Sequence, residues 1–310
     1  SLSSFLEKEG AAAIFQDAGK PLGLLVTTGS WGGSGDRSSA TNRLPTLFVA
    51  HNHYDMLYRL ANRPAPARTR VELEVNNTFV PGPVKVFNTV GEIIGSEKPN
   101  EYVVVGAHLD SWDLGQGTTD NGTGSSTVLE VARIITRLGV QPKRTIRFVL
   151  FTGEEQGLHG SRAFVQKHKE DLARTSAALI HDTGTGRVKG VGTGGFPIHT
   201  SILERELGIL KELGVTDFNT PSVGGSDHQS FTRVGVPGLM MVQDMSTYTY
   251  THHTEIDTLD AAIESNLLQG AQTMAITAMR IANLNSLLPR VSGGGNSGPR
   301  ANPNRAKAGE

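Results

Sequence analysis

Four short apolar-rich runs, Val103–Ala107, Ile146–Phe151, Ala177–Ile180 and Pro237–Val242, set the strongest limit on what this chain can fold into. Runs this short fit strands buried on both faces better than helices. Between them lie segments with helical spacing. Thr123–Leu138 places Val128, Val131, Ile134, Ile135 and Leu138 on one face and ends at Gly139. Ser161–His168 reads as helical, and Ile202–Leu213 reads as a helix stopped by Gly214. Asp260–Leu284 reads as a long closing helix with Asp260 as N-cap. Strands alternating with helices predict an α/β fold whose sheet is largely parallel.

The residues just past each run are chemically regular. In open α/β sheets, ligands bind at the carboxyl ends of the strands. Here the strands lead into His108-Leu109-Asp110, into Thr152-Gly153-Glu154-Glu155, into His181-Asp182 and, after a short loop, into His252-His253-Thr254. Asp120-Asn121-Gly122 precedes the first long helix. Each element alone has a plainer reading. His108 could be satisfied by Asp110, Glu154-Glu155 could be a solvated helix start, and Asp120-Asn121-Gly122 could be a turn. Together and in order they favour a metal site with nitrogen and oxygen donors only, which suits zinc or another first-row divalent ion. Two His with three or four carboxylates carry too much negative charge for one zinc. They suit two ions bridged by one carboxylate.

Composition narrows the alternatives. The chain has 310 residues, 37% of them hydrophobic, enough for a real core in two domains or one with an extension. Lys plus Arg total 29 and Asp plus Glu total 30, for a net charge of −1. That balance argues against a nucleic-acid groove or a membrane-surface patch. No apolar run nears the ~18 residues of a membrane span. The absence of cysteine excludes disulfides, thiolate nucleophiles and iron–sulfur clusters. There is no His-Glu-x-x-His stretch, no Gly-x-Ser-x-Gly elbow and no P-loop, and the glycine-rich Gly184–Gly195 segment lacks the dinucleotide fingerprint.

Three regions are expected. Residues 1–82 read as a small β-rich module with strand-like pieces at Leu22–Val26, Leu47–Ala50 and Val71–Val75, a Gly/Ser loop at Thr27–Ser39 and a Pro-punctuated turn at Pro64–Ala67. Residues 83–288 carry the strand and helix alternation. Residues 289–310 are Gly, Asn, Pro and Arg with almost no apolar side chain, and are expected to be a disordered tail.

His108-x-Asp110, Asp120-Asn121-x-x-Gly124, Gly153-Glu154-Glu155-x-Gly157, Asp182 and His253-Thr254-x-x-Asp257-Thr258 occur in that order. Together they resemble the two-zinc exopeptidases of metallopeptidase family twenty-eight, closest to its carboxypeptidase Q and glutamate carboxypeptidase members. The likeness covers about residues 85–285. It implies the zinc exopeptidase fold, a mixed, largely parallel sheet flanked by helices, with two zinc ions per chain. It implies that His108 and Asp182 hold one ion, Glu155 and His253 the other, and that Asp120 bridges them. Glu154 would be the general base that takes a proton from the attacking water and passes it to the leaving amine. Asp110 would hydrogen-bond the free nitrogen of His108, and Asp257 that of His253. The Asp120–Asn121 peptide would be cis. The substrate would be a short peptide or dipeptide, with an aminopeptidase as the second reading and an inactive receptor-like module as a remote one. The first 82 residues resemble a protease-associated module that begins mid-way, so a truncated or processed chain is expected. A homodimer and an exported location, secreted or periplasmic, are also expected on this resemblance.

Other residues keep two readings. Ser226, Asp227 and His228 either line a substrate pocket or form a polar helix-initiating turn capped by Ser226 or Asp227. Tyr248 and Tyr250 either contact substrate or pack, with packing favoured. His51 and His53, with Asp55 nearby, are expected to be structural or exposed.

Overall fold

The computed structural model describes residues 2–28, 44–64, 69–78, 82–194, 196–220 and 224–290. The tail after Arg290 and most of the Thr27–Ser39 loop and the Pro64–Ala67 turn fall outside the described residues.

The four apolar runs are strands of one sheet. In chain order the described strands are β1 (Ile14–Asp17), β2 (Thr46–Val49), β3 (Thr89–Ile93), β4 (Lys98–His108), β5 (Arg144–Phe151), β6 (Thr175–Ile180), β7 (Val188–Gly192) and β8 (Gly238–Gln243). The helices are α1 (Leu2–Lys8), α2 (His51–Ala61), α3 (Thr123–Leu138), α4 (His159–Lys167), α5 (Pro197–Glu206), α6 (His228–Thr232), α7 (Tyr248–Thr251) and α8 (Glu264–Ala282). Six strands form the main sheet in the order β3-β5-β4-β6-β8-β7. The four central strands run parallel, and β3 and β7 close the two sides antiparallel. The fold is α/β, with a mixed, largely parallel sheet flanked by helices.

The period-2 alternation of the strands divides the interior into two cores. Val103, Val105, Ile146, Phe148, Ala177, Leu179, Leu239 and Met241 face one side, where α3 contributes Val128, Val131 and Ile135 and α8 contributes Met274, Ala278 and Ile281. Val104, Val149, Phe151, Ala178, Ile180 and Met240 face the other side, against Phe164 and Val165 of α4 and Phe231 of α6. Both faces are dry, which is why these strands read as continuous apolar runs rather than alternating ones.

Several boundaries differ from the expectation. The closing helix starts at Glu264, not Asp260, because the Asp260 carboxylate accepts the Thr258 hydroxyl in a separate one-turn 3₁₀ segment, Leu259–Ala261. No side chain caps α8; the Ile263 N–H before it donates to Thr185 Oγ1 at 2.7 Å. The helix expected over 202–213 begins earlier, with Pro197 in its first turn, and tightens into a 3₁₀ segment, Gly208–Leu213. Gly214 does end it, at φ +80°. Strands β3 and β7 are additions to the expected set. All five β3 residues are at least partly exposed, so no buried face betrays it. In β7 the backbone of Asp217 approaches so closely that a Cβ on Gly190 would lie 2.1 Å from its carbonyl oxygen, which accounts for a glycine-rich strand.

Among the described residues, the N-terminal region is less β-rich than expected. It holds the two-stranded parallel ladder β1–β2 with α1 and α2. Leu22–Val26 is a 3₁₀ turn, Pro21–Gly23, followed by a single bridge from Val26 to Thr254. Val71–Val75 belongs to no strand, and its three apolar side chains are exposed because no ladder holds them against a neighbour. His51 and His53 lie on α2; His51 is exposed and its Nδ1 is 2.8 Å from Asp17. Among the described residues no helix is long and apolar enough to cross a membrane.

Leu179, the penultimate residue of β6, has no solvent exposure. Leu179→Ala is expected to lower unfolding free energy by about 2–5 kcal/mol, measured by urea denaturation against the parent protein.

Candidate metal centre

The carboxyl ends of β4, β5 and β6 gather the polar residues, as the strand-end pattern predicts. His108 is the last residue of β4 and is buried. Its Nδ1 hydrogen-bonds the Asp110 backbone carbonyl at 2.9 Å, which leaves Nε2 facing the cluster. Nε2 lies 3.1 Å from Asp120 Oδ1 and 3.1 Å from Asp182 Oδ1. Beyond β5 the chain turns through Gly153 at φ +64° and delivers Glu154 and Glu155 side by side, both buried. The Asp110 carboxylate accepts the N–H groups of Glu154 (3.1 Å) and Glu155 (3.3 Å). Asp110 thus orients His108 through its main chain, with its carboxylate 3.8 Å from Nδ1, and spends the carboxylate on fixing the glutamate pair.

Asp120 is the centre of the arrangement. Its Oδ1 faces His108, and its Oδ2 lies 3.1 Å from His253 Nε2. His253 Nε2 is also 3.0 Å from Glu155 Oε2. One carboxylate therefore stands between two groups of donors, His108 with Asp182 and His253 with Glu155. The peptide after it, Asp120–Asn121, is cis. The local sequence explains how the turn is held. The Asn121 amide donates to the His181 carbonyl at 2.9 Å, and its oxygen accepts the Gly124 N–H at 3.1 Å. A Cβ at Gly124 would fall 2.3 Å from that oxygen and 2.4 Å from the His181 carbonyl, so position 124 must be glycine. Both Asp257 oxygens accept main-chain N–H groups, from Thr119 at 2.7 Å and Asp120 at 3.1 Å. Asp257, expected to orient His253, braces the bridging turn.

The two adjacent histidines, which with Asp120 form one group able to hold a metal ion, differ in burial. They stack with centroids 3.7 Å apart. The His252 side chain is 41% exposed and 3.7 Å from Asp120, whereas that of His253 is 11% exposed and sits between two carboxylates. His253 also occupies the left-handed region at φ +55°, uncommon for a residue with a Cβ. Trp112, which carries no signal in the sequence, packs edge-on to its ring.

Charge is badly out of balance in the protein alone. Burial, then the charge of Asp182, pushes the Glu154 carboxyl up to about 10. Burial also raises Glu155. Burial opposes charge on His253, yet its hydrogen bonds to Asp120 and Glu155 push it up to about 9. Asp120 shows the converse: burial would raise it, but hydrogen bonds from His108 and His253 hold it below the usual carboxylate range. The imidazoles are being recruited as counter-ions. Glu154 Oε1 and Glu155 Oε1 are buried and have no hydrogen-bond partner. Unmatched buried oxygens and surplus carboxylates fit divalent cations, and the all-nitrogen-and-oxygen donor set fits zinc.

The remaining predicted residues lie close by. Ser226, Asp227 and His228 are buried at the start of α6. Asp227 occupies the N-cap position but makes no capping bond, and its main chain is already helical, so the capped-turn reading does not hold. Burial pushes its carboxyl up to about 7. Tyr248 opens α7 and is buried, with its ring against Gly184 and 4.8 Å from His252; burial and the nearby charges of Asp120, Asp182 and Glu155 push its hydroxyl well above the usual range. His181, beside Asp182, points away toward Gly270, and burial holds its imidazole down at about 4. Lys20, unmarked in the sequence, reaches the carbonyls of Thr249 and His252.

The family model of peptidase family M28 matches residues 88–279. The chain belongs to peptidase family M28. Carboxypeptidase Q of Pongo abelii is 34% identical over 248 residues, covering 80% of this chain and 52% of that protein. Carboxypeptidase Q of Rattus norvegicus is 33% identical over 249 residues with the same coverage. The chain spans about half the length of the curated relatives it matches. Among solved structures, an M28 peptidase precursor from Shewanella amazonensis superposes with a TM-score of 0.70 at 29% identity, covering 82% of this chain and 57% of that one.

The bracing carboxylate of this M28 site gives a direct test. Asp257→Ala frees two buried N–H groups and is expected to cost about 1–3 kcal/mol of stability, read by urea unfolding of the ion-free protein.

Proposed function

We propose that this chain carries a two-zinc exopeptidase centre that hydrolyses a terminal peptide bond of short peptides or dipeptides, in the manner of carboxypeptidase Q. The observation that carries the reading is Asp120, whose two oxygens are divided between His108 and His253 at 3.1 Å each. That division supports a bridging role, with His108 and Asp182 as ligands on one side and Glu155 and His253 on the other. Zinc bound there would acidify the attacking water and polarise the scissile carbonyl.

The chain's own residues account for the proton. Glu154 is adjacent to a ligand, and one of its oxygens is buried with no hydrogen-bond partner. Its high proton affinity reflects burial among carboxylates, and cations beside it would reverse that bias. In this role Glu154 takes the proton from the attacking water, holds it at the carboxylate, and passes it to the leaving amine nitrogen. The Asp110 carboxylate fixes the main chain of Glu154 and Glu155, so the base keeps its direction while its neighbour binds. The Glu154 carboxyl also feels the charge of Asp227, the buried residue just before α6.

Glu154→Gln is expected to lower turnover by about 10²–10⁴-fold, the usual worth of a general base, while zinc content by elemental analysis stays at the parental level. Loss of zinc along with activity would make Glu154 a ligand instead. The terminus is tested with one dipeptide in free, N-acetylated and C-amidated forms, with products read by mass spectrometry with and without chelator. Cleavage of the acetylated but not the amidated form is the expected result. The opposite pattern makes it an aminopeptidase, cleavage of the free form alone makes it a dipeptidase, and failure on every form and on longer peptides favours a binding module.

A further inference from the structure

The loop that presents His253 is held from two sides. On the inner side, the Thr119 hydroxyl donates to the Thr251 hydroxyl at 2.7 Å. On the outer side stands a segment from the far end of the sequence, residues 20–27. Lys20 Nζ donates to the His252 carbonyl at 2.7 Å and to the Thr249 carbonyl at 3.1 Å. The Leu25 N–H donates to Glu255 Oε2 at 2.9 Å. The Thr27 N–H donates to the His253 carbonyl at 3.0 Å, and Val26 forms a β-bridge with Thr254. The carbonyls on both sides of the His253 Cα are thus engaged by this strap. His253 itself sits at φ +55°, a conformation that costs on the order of 1–3 kcal/mol and persists only where its surroundings impose it.

We propose that residues 20–27 are a working part of the metal centre, and that Lys20 is a positioning residue that keeps His253 Nε2 between Asp120 and Glu155. The inference rests on the two-ion reading of the site. Only one half of the centre depends on the strap. His108 is the end of a central strand, and its Nδ1 is fixed by the Asp110 carbonyl. His253 lies on a loop whose main chain is tied to a segment more than two hundred residues away. Removing the tie loosens one ligand set and leaves the other.

Zinc binding to the ion-free full chain, measured by titration calorimetry, tests this without relying on activity. His253→Ala identifies the binding step that belongs to His253. Lys20→Met is expected to weaken that same step by about ten-fold or more, the usual cost of losing an outer-shell partner, and to leave the other step unchanged. Lys20→Arg, which keeps a donor to the two carbonyls, is expected to restore it. Glu255→Ala, which removes the acceptor of the Leu25 N–H, is expected to shift the same step in the same direction by less. An isotherm for Lys20→Met identical to the parent overturns the proposal, as does equal weakening of both steps. An unchanged isotherm with a raised KM only for peptides bearing a free carboxylate also overturns it and makes Lys20 a substrate ligand. A parent that binds fewer than two ions overturns the two-ion reading itself, so the two failures are told apart by the parent titration alone.

Discussion

Everything at the sheet's carboxyl edge depends on packing several buried carboxylates into one small space. Like charges in a dry site repel strongly, and no arrangement of protein groups alone neutralises Asp120, Glu154, Glu155 and Asp182. The protein without ions answers by drawing protons onto His108, His253 and Glu154. The surrounding structure is organised to hold that unfavourable cluster in place. Asp110 pins the glutamates, Asp257 and Asn121 pin the bridging turn, and Thr119 and the Lys20 strap pin the histidine loop. The stability of the sheet carries the cost. Its four central strands are dry on both faces and end at the site, so His108 and Asp182 stand within two residues of a strand end, while Glu154, Glu155, Asp120 and His253 are presented by the turns beyond.

That geometry is also why the centre was legible from the amino-acid order. The central strands are apolar over the stretch that approaches the site, so the point where His108 or Asp182 appears marks the strand end and the polar edge together. Helix α3 was equally plain, because Gly139 ends it in the left-handed conformation. The edge strands were not readable. β3 buries no face and β7 is built on glycines forced by a neighbouring backbone, so neither leaves a periodic trace. The start of α8 departs from the expected cap for a chemical reason: Asp260 has the right type for a cap but finds a closer partner in Thr258.

Within the site, residue types could be read but connections could not. The carboxylates of Asp110 and Asp257 bond main-chain N–H groups, and spacing alone cannot tell an imidazole partner from an amide one. The motif around Thr254 and Asp257 favoured His253 over His252 but did not reveal the left-handed backbone that sets its ring between two carboxylates. Lys20 left no signal at all, because its partners are carbonyls that every residue possesses.

The donors that meet at Asp120 come from His108 to His253, almost half the chain apart, and the sequence has no cysteine. A chain that closes such a loop without a covalent link bears its full closure entropy. Ions held by both ends would act as a reversible staple, doing for this domain what a disulfide does in others while leaving the tie sensitive to metal supply rather than to redox potential. Starved of metal, such a chain would give up chemistry and architectural restraint in one event, and its own histidine loop would be the first backbone presented to other proteases.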